Sequence, residues 1–301
     1  MKSKQLFWGI FFVALGGLVL INNFVKISFN WAIILDLWPL AFVILGLYFI
    51  LKDNPVRWLF IVINALFIAF VLFAAFKSFS TFIDDDTEFH GNYNVQHFNA
   101  PFNENVKKVN FTLETGGGHI YIKDTSMVDL VDARFEGSSG EYNFNHSDKG
   151  EDADVILSLE HGDIHFVKEA FKNALHLKLN EKPIWNMDFN IGASKLDLDL
   201  TPFKTENINF KSGAASIRVK IGDKIEMTNL RFEAGVTKIE VQIPKSSGCE
   251  IRSDASLSSK RFDGFNKIDK STYRTENYDS AAKKIIIEFD TGVSSIEVDR
   301  I

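Results

Sequence analysis

The chain has a single cysteine, Cys249, in 301 residues, so no disulfide can form within it and a small disulfide-stapled fold is excluded. It also lacks an excess of positive charge. With 33 Lys and Arg against 39 Asp and Glu the formal charge is −6, which argues against a surface that binds phosphate backbones, and no nucleic-acid partner is expected. No Walker loop, nucleophile elbow, zinc-protease helix or dinucleotide-binding glycine fingerprint occurs. The expectation is a protein that is not an enzyme and uses no cofactor.

What it has in quantity is apolar residue, 46% of the chain with 29 Phe, and the excess is concentrated before residue 80. Three apolar runs, 6–24, 31–51 and 57–77, each approach the roughly 20 residues a helix needs to cross a bilayer. Lys2 and Lys4 ahead of the first run would suit a signal peptide. No small-x-small cleavage site follows, however; the chain reads Asn22-Asn23-Phe24-Val25-Lys26, and two more runs come after it. Residues 1–80 are therefore read as three transmembrane helices in contact with the lipid bilayer. Lys2, Lys4, Lys52 and Arg57 flank one side against Lys26 and Lys77 on the other, which favours a cytoplasmic N-terminus and an extracytoplasmic remainder.

Within the spans Asp36 is the one ionisable group well away from a charged flank, at an insertion cost of about 2.5–3.5 kcal/mol. Its place near Trp31 also lets it reach the interface, so a packing role competes with a proton or ligand site. Trp8, Gly16, Gly17, Trp38, Pro39 and Gly46 complete the candidate membrane contacts, the glycines because they let helices approach closely. The spans hold too little polar surface to line a transport path.

Beyond residue 80 the chain turns polar. Residues 81–104 read as a linker, and its Asp84-Asp85-Asp86-Thr87-Glu88 run lacks the spaced ligands and glycine turn of a calcium loop. Strand-like alternation starts at 105. Three segments then repeat closely: Asn209-Phe-Lys-Ser-Gly213-Ala-Ala-Ser-Ile217-Arg-Val219, Arg231-Phe-Glu-Ala-Gly235-Val-Thr-Lys-Ile239-Glu-Val241 and Glu288-Phe-Asp-Thr-Gly292-Val-Ser-Ser-Ile296-Glu-Val298. Gly192 opens a related segment. A glycine followed by an alternating strand, recurring at a fixed period, marks a stacked all-β array, because no one turn buries enough core alone.

The corners are expected at Gly118, Gly192, Gly213, Gly235 and Gly292, where glycine supplies either φ > 0 or close backbone approach. Intervals of 21 and 22 residues separate Gly192, Gly213 and Gly235, but Gly292 comes 57 later, and a less regular turn including Gly248–Ile251 and Lys260–Lys267 is expected to fill the gap. The fold class is thus membrane α plus all-β, with a β-solenoid-like domain over 105–301, irregular to 184 and regular over 185–301. Ile217, Val219, Ile221, Ile239, Val241, Ile243, Ile296 and Val298 should be buried in rows, and Arg218, Lys220, Glu240, Gln242 and Glu297 exposed.

Three groups invite a chemical reading. His161, Asp163 and His165 would share one face of a strand and could hold a metal, but with no fourth ligand a solvated face is the simpler reading. Cys249 without a recognisable histidine partner reads as a small buried hydrophobe. Tyr273, Arg274 and Tyr278 would make an ordinary exposed patch.

Trp8-Gly9, Gly16-Gly17, Asn22-Asn23-Phe24, Trp38-Pro39-Leu40 and Gly46 together resemble the transmembrane region of bacterial LiaI/LiaF-type proteins. The run from Trp185 to Ile221, with Gly-Ala-Ser and Gly-Ala-Ala-Ser before Leu-Asp-Leu and Ile-Arg-Val, resembles the C-terminal domain of LiaF-like proteins, the toast-rack domain. Val106 to Gly162 is similar to the first part of that domain. The resemblance implies a multi-pass protein of the bacterial cytoplasmic membrane tied to cell-envelope stress signalling, in which LiaF restrains a partner histidine kinase. Another membrane protein as partner, a homo-oligomer, or a structural, adhesive use of the β-array are the other expectations. The family offers no catalytic residues to carry over.

Overall fold

The computed structural model describes residues 7–13, 62–63, 65–68, 70, 94–137, 140–160 and 173–301. The chain divides into two compact units, Met1–Glu88 and Phe89–Ile301. In the first, the described residues of 7–13 and 62–70 are helical. Phe11 and Ala65 are buried against each other's surroundings, with Phe7, Ile10 and Ile68 packed on them. Residues 7, 10 and 11 share one helix face, while Trp8, Phe12, Val13, Ile63 and Leu66 remain exposed on other faces. Helices apolar all round suit a bilayer. Among the described residues no helix is long and apolar enough to cross a membrane. The expected spans at 6–24, 31–51 and 57–77 lie mostly outside them.

The second unit is one 13-stranded sheet among the described residues. Its strands are β1 Asn94–Pro101, β2 Lys108–Ser126, β3 Asp129–Gly137, β4 Tyr142–Lys149, β5 Asp152–Leu159, β6 Ala174–Asn180 and β7 Ile184–Leu200. There follow β8 Lys204–Ile221, β9 Met227–Ile243, β10 Gly248–Phe262, β11 Phe265–Lys267, β12 Thr272–Thr275 and β13 Lys284–Arg300. β1 lies inside the stretch read as linker: its Asn94–Pro101 pair antiparallel with β3.

The long strands cannot be straight. β7 has 17 residues and β8 runs parallel beside it, Ile184 opposite Lys204 and Leu200 opposite Ile221. Straight, β7 would measure about 56 Å at ~3.3 Å per residue, yet only residues 201–203 lead from its end back to the start of β8. Such a link reaches about 14 Å at most. Each long strand therefore folds back at its centre, and the pairing skips Gly192 and Gly213, where the bend falls. The first arms form one wall, the second arms the other, and the core lies between. Side-chain parity reverses across each bend: Trp185, Met187 and Phe189 are buried before Gly192, and Leu196, Leu198 and Leu200 after it. That reversal keeps apolar residues inside on both walls.

The bend glycines form a column. A Cβ on Gly213 would stand 3.0 Å from the carbonyl oxygen of Gly192, on Gly235 2.8 Å from that of Gly213, on Gly292 2.7 Å from that of Gly235, and on Gly192 closer still to Gly116. The first member is thus Gly116, not the expected Gly118, which is in register with Ser194. Gly118 does have φ +129° beside the Asn173 carbonyl. At the other four corners close approach, not positive φ, is the requirement, since none of them has positive φ.

The stack departs from chain order near its end. β13 lies between β9 and β10, parallel to both. The Gly292 copy therefore sits directly on the Gly235 copy, and the segment expected to fill the gap is outside it. β5 and β6 behave as the two arms of a further coil, each parallel to one arm of β2.

The expected rows hold in parity but less fully in exposure. All eight predicted inward residues, Ile217 to Val298, are buried. Of the five predicted outward ones only Arg218 is exposed; Lys220, Glu240, Gln242 and Glu297 are half-buried. In-register neighbours on both sides, about 4.8 Å away, cover their stems.

Candidate interaction surfaces

A repeating stack places identical side chains above one another. Phe189, Phe210, Phe232 and Phe289, each three residues before a column glycine, stack inside with centroids 5.0, 4.8 and 5.1 Å apart. The stack is closed at one end by Phe98 on Phe144 at 5.7 Å. At the other, Phe262 packs on Tyr273 at 5.0 Å and on Phe265 at 6.3 Å. These rings plug the core where no further coil covers it.

The outer face of the first wall carries an asparagine ladder. Asn229 donates to Asn207 at 3.1 Å, Asn207 to Asn186 at 2.9 Å, Asn186 to Asn110 at 3.1 Å, and Asn110 to the Asp154 carboxylate at 2.9 Å. All four asparagines stand six residues before a column glycine. That spacing is a signal readable in the sequence, and it marks a functional-looking row that the glycine pattern alone does not. Each bond contributes about 0.5–1.5 kcal/mol net, and aligned amides polarise one another. The Asp154 carboxyl is held below its ordinary value by Lys149 first and by Asn110 next.

Ion pairs cross the same walls. Arg231 and Arg252 flank Glu288 at 3.5 and 3.1 Å. Glu250, buried, takes Arg274 at 2.5 Å and Arg252 at 2.6 Å. Burial pushes the Glu250 carboxyl up, but the two guanidiniums together hold it below its ordinary value. Tyr278 lies under Arg274 and Lys284 at 4.7 and 5.1 Å. The residues read as an exposed patch are thus committed inward, Arg274 to a buried carboxylate and Tyr273 to the aromatic plug.

Of the candidate membrane contacts, Trp8 is 54% exposed on the first helical segment. Gly16, Gly17, Asp36, Trp38, Pro39 and Gly46 lie outside the described residues, as do His161, Asp163, His165 and the acidic run 84–88. Cys249 is fully buried, its backbone N–H on Thr275 at 2.9 Å, and burial pushes its thiol pKa far up. An open depression of about 590 Å³ is lined by Lys245, Asp263, Gly264, Asp299 and Arg300. The Arg300 guanidinium there donates to the Ser247 carbonyl at 3.3 Å and to Asn277 Oδ1 at 3.1 Å, so it is spent on the fold. Among the described residues no group of three His, Cys, Asp or Glu is placed to hold a metal. What the unit presents is extended, ordered surface.

Residues 83–242 match the family described as the N-terminal domain of toast_rack, DUF2154, and residues 7–83 match the LiaF transmembrane domain. No protein of curated function matches the chain. A crystal structure of a candidate cell adhesion protein from Clostridium sporogenes is similar over 70% of this chain and 100% of its own, with TM-score 0.62 and 19% identity. At that identity the likeness shows the fold. A candidate adhesin from Bacteroides fragilis aligns over 70% of this chain and 98% of its own at 10% identity, but its TM-score of 0.25 carries no argument.

Proposed function

This chain belongs to the toast-rack family and carries a LiaF transmembrane domain, and on that premise we propose that it is a non-enzymatic regulator or sensor of bacterial cell-envelope stress. It is a membrane protein. In this reading it crosses the cytoplasmic membrane three times, holds its β-domain outside the cytoplasm, and acts through protein–protein contacts. The membrane half engages a histidine kinase or another membrane protein.

The observation that carries the reading is the union in one chain of a LiaF transmembrane domain at 7–83 with a toast-rack domain starting at 83. The packing of 7–13 on 62–70 through Phe11 and Ala65 supports it. One helix would suffice as an anchor, whereas a packed set presents a composite surface such as the Trp8 and Phe12 face. Deletion of the gene followed by transcript profiling, with and without a cell-wall antibiotic, is the test. An altered envelope-stress response is expected; an unchanged transcriptome sinks the proposal.

A second reading is a membrane-anchored structural or adhesive β-array that binds surface polymer or self-associates. The likeness in fold to the Clostridium sporogenes structure favours it. Altered surface binding beside an unchanged transcriptome would select it.

A further inference from the structure

The two ends of the stack are finished differently. At the β1/β4 end the walls meet, where the Tyr142 N–H donates to Gln96 Oε1 at 3.0 Å. At the β10 end the first wall continues into β12, which pairs with Glu250–Arg252, and then into β11, only 3 residues long. The second wall has no such cover. From Leu257 to Phe262 β10 pairs with β13 on one side and, among the described residues, with nothing on the other. An extended backbone with a free row of N–H and C=O groups is a template for another strand.

The nearest source of a fitting strand is a second copy. A second copy turned about a two-fold axis could lay its own β10 antiparallel on this edge and so continue the second wall. What stands in the way is visible in the register. The inward row of that wall reads Ile120, Leu196, Ile217, Ile239 and Ile296, each at most 1% exposed. The next member is Lys260, opposite Ile296. Its neighbour Arg261, on the outward side, pairs with Asp263 and Glu297. Lys260 pairs with no carboxylate among the described residues and is exposed because no coil follows.

We propose that Lys260 is the stop of the stack: an inward-pointing ammonium that keeps a second copy from pairing with the open edge of β10. Any strand laid on this edge would cover the ammonium against an apolar row holding no counter-charge. Desolvating it there costs several kcal/mol. The backbone of the edge fits another copy, and this one side chain rejects it.

The test uses the full chain in detergent micelles with Ser259→Cys, on the outward side of the same edge, as an oxidative cross-linking reporter. Cys249 is buried and silent. With Lys260 present the reporter should stay monomeric. Adding Lys260→Ile should raise the cross-linked dimer by about tenfold or more, given the size of the desolvation cost removed. Lys260→Thr also removes the charge and covers the case in which the isoleucine variant does not fold. Lys260→Glu keeps a charge at the position and should remain at the parent level. The proposal is overturned if either folded uncharged variant stays at the parent level, if the glutamate variant cross-links as strongly as isoleucine, or if the parent already does.

Discussion

A single methyl group placed on successive members of the glycine column tests the architecture most directly. The Cβ of alanine at Gly192, Gly292, Gly235 or Gly213 would press on a backbone carbonyl of the preceding coil, at 2.7, 2.8 and 3.0 Å for the last three and closer at the first. A backbone oxygen fixed between paired residues before and after it in the strand cannot swing away as a side-chain tip can. Overpacking of this kind costs about 1–3 kcal/mol, or about 3–10 °C in midpoint for a domain of this size. At Gly116, first in the column, nothing lies within 4 Å of the new methyl, so the same substitution should cost no stability. The measurement is thermal unfolding of the full chain in detergent, read by hydrogen exchange of β7–β9 peptides. The expected order of damage is Gly192, then Gly292 and Gly235, then Gly213, with Gly116 silent. Equal loss at Gly116 and Gly192 would refute the clearance argument and mean that the backbone conformation itself demands glycine.

Three further outcomes are expected. The carboxyls of Asp154, Glu240 and Glu250 all lie below their ordinary values in the fold. A depressed folded pKa gives stability that is complete above the unfolded value, about 4, and is lost as pH falls through the folded one. The midpoint should therefore be flat from pH 7 to about 5 and fall below about 4, and Glu250→Gln should flatten that fall; an unchanged slope counts against the pairing. Asn207→Ala breaks two ladder bonds and Asn229→Ala one, so chemical denaturation should show the first costing about twice the second, in the range of 1–3 kcal/mol; equal costs would mean that the ladder is not additive. Met127, 91% exposed, is a better topology probe than the buried Cys249. Met127→Cys should react with a membrane-impermeant thiol reagent in intact cells, any outer membrane being permeabilised, and protection until lysis would place the domain in the cytoplasm.

Much of the β-unit was legible in the sequence because its physics is local and repeated. Alternation about Ile217, Ile239 and Ile296 fixed which side chains are buried, since a strand's faces depend only on residue parity. The recurring glycines marked the bends for a similar reason: identical sequence at a fixed interval folds into identical coils. Phenylalanine and asparagine at constant distances from those glycines carried the inner stack and the outer ladder just as openly. Three things depended on the tertiary structure. Gly116 rather than Gly118 joins the column, because register between β2 and β7 is set by the whole paired length and not by a glycine triplet. β13 inserts between β9 and β10, a choice of strand neighbour that sequence spacing of 57 residues does not reveal, because loop closure over such lengths costs little more for one neighbour than for another. Lys260 looked like part of an irregular turn, and only its place opposite Ile296, in a row of buried aliphatics at the end of a wall, gives its charge a consequence.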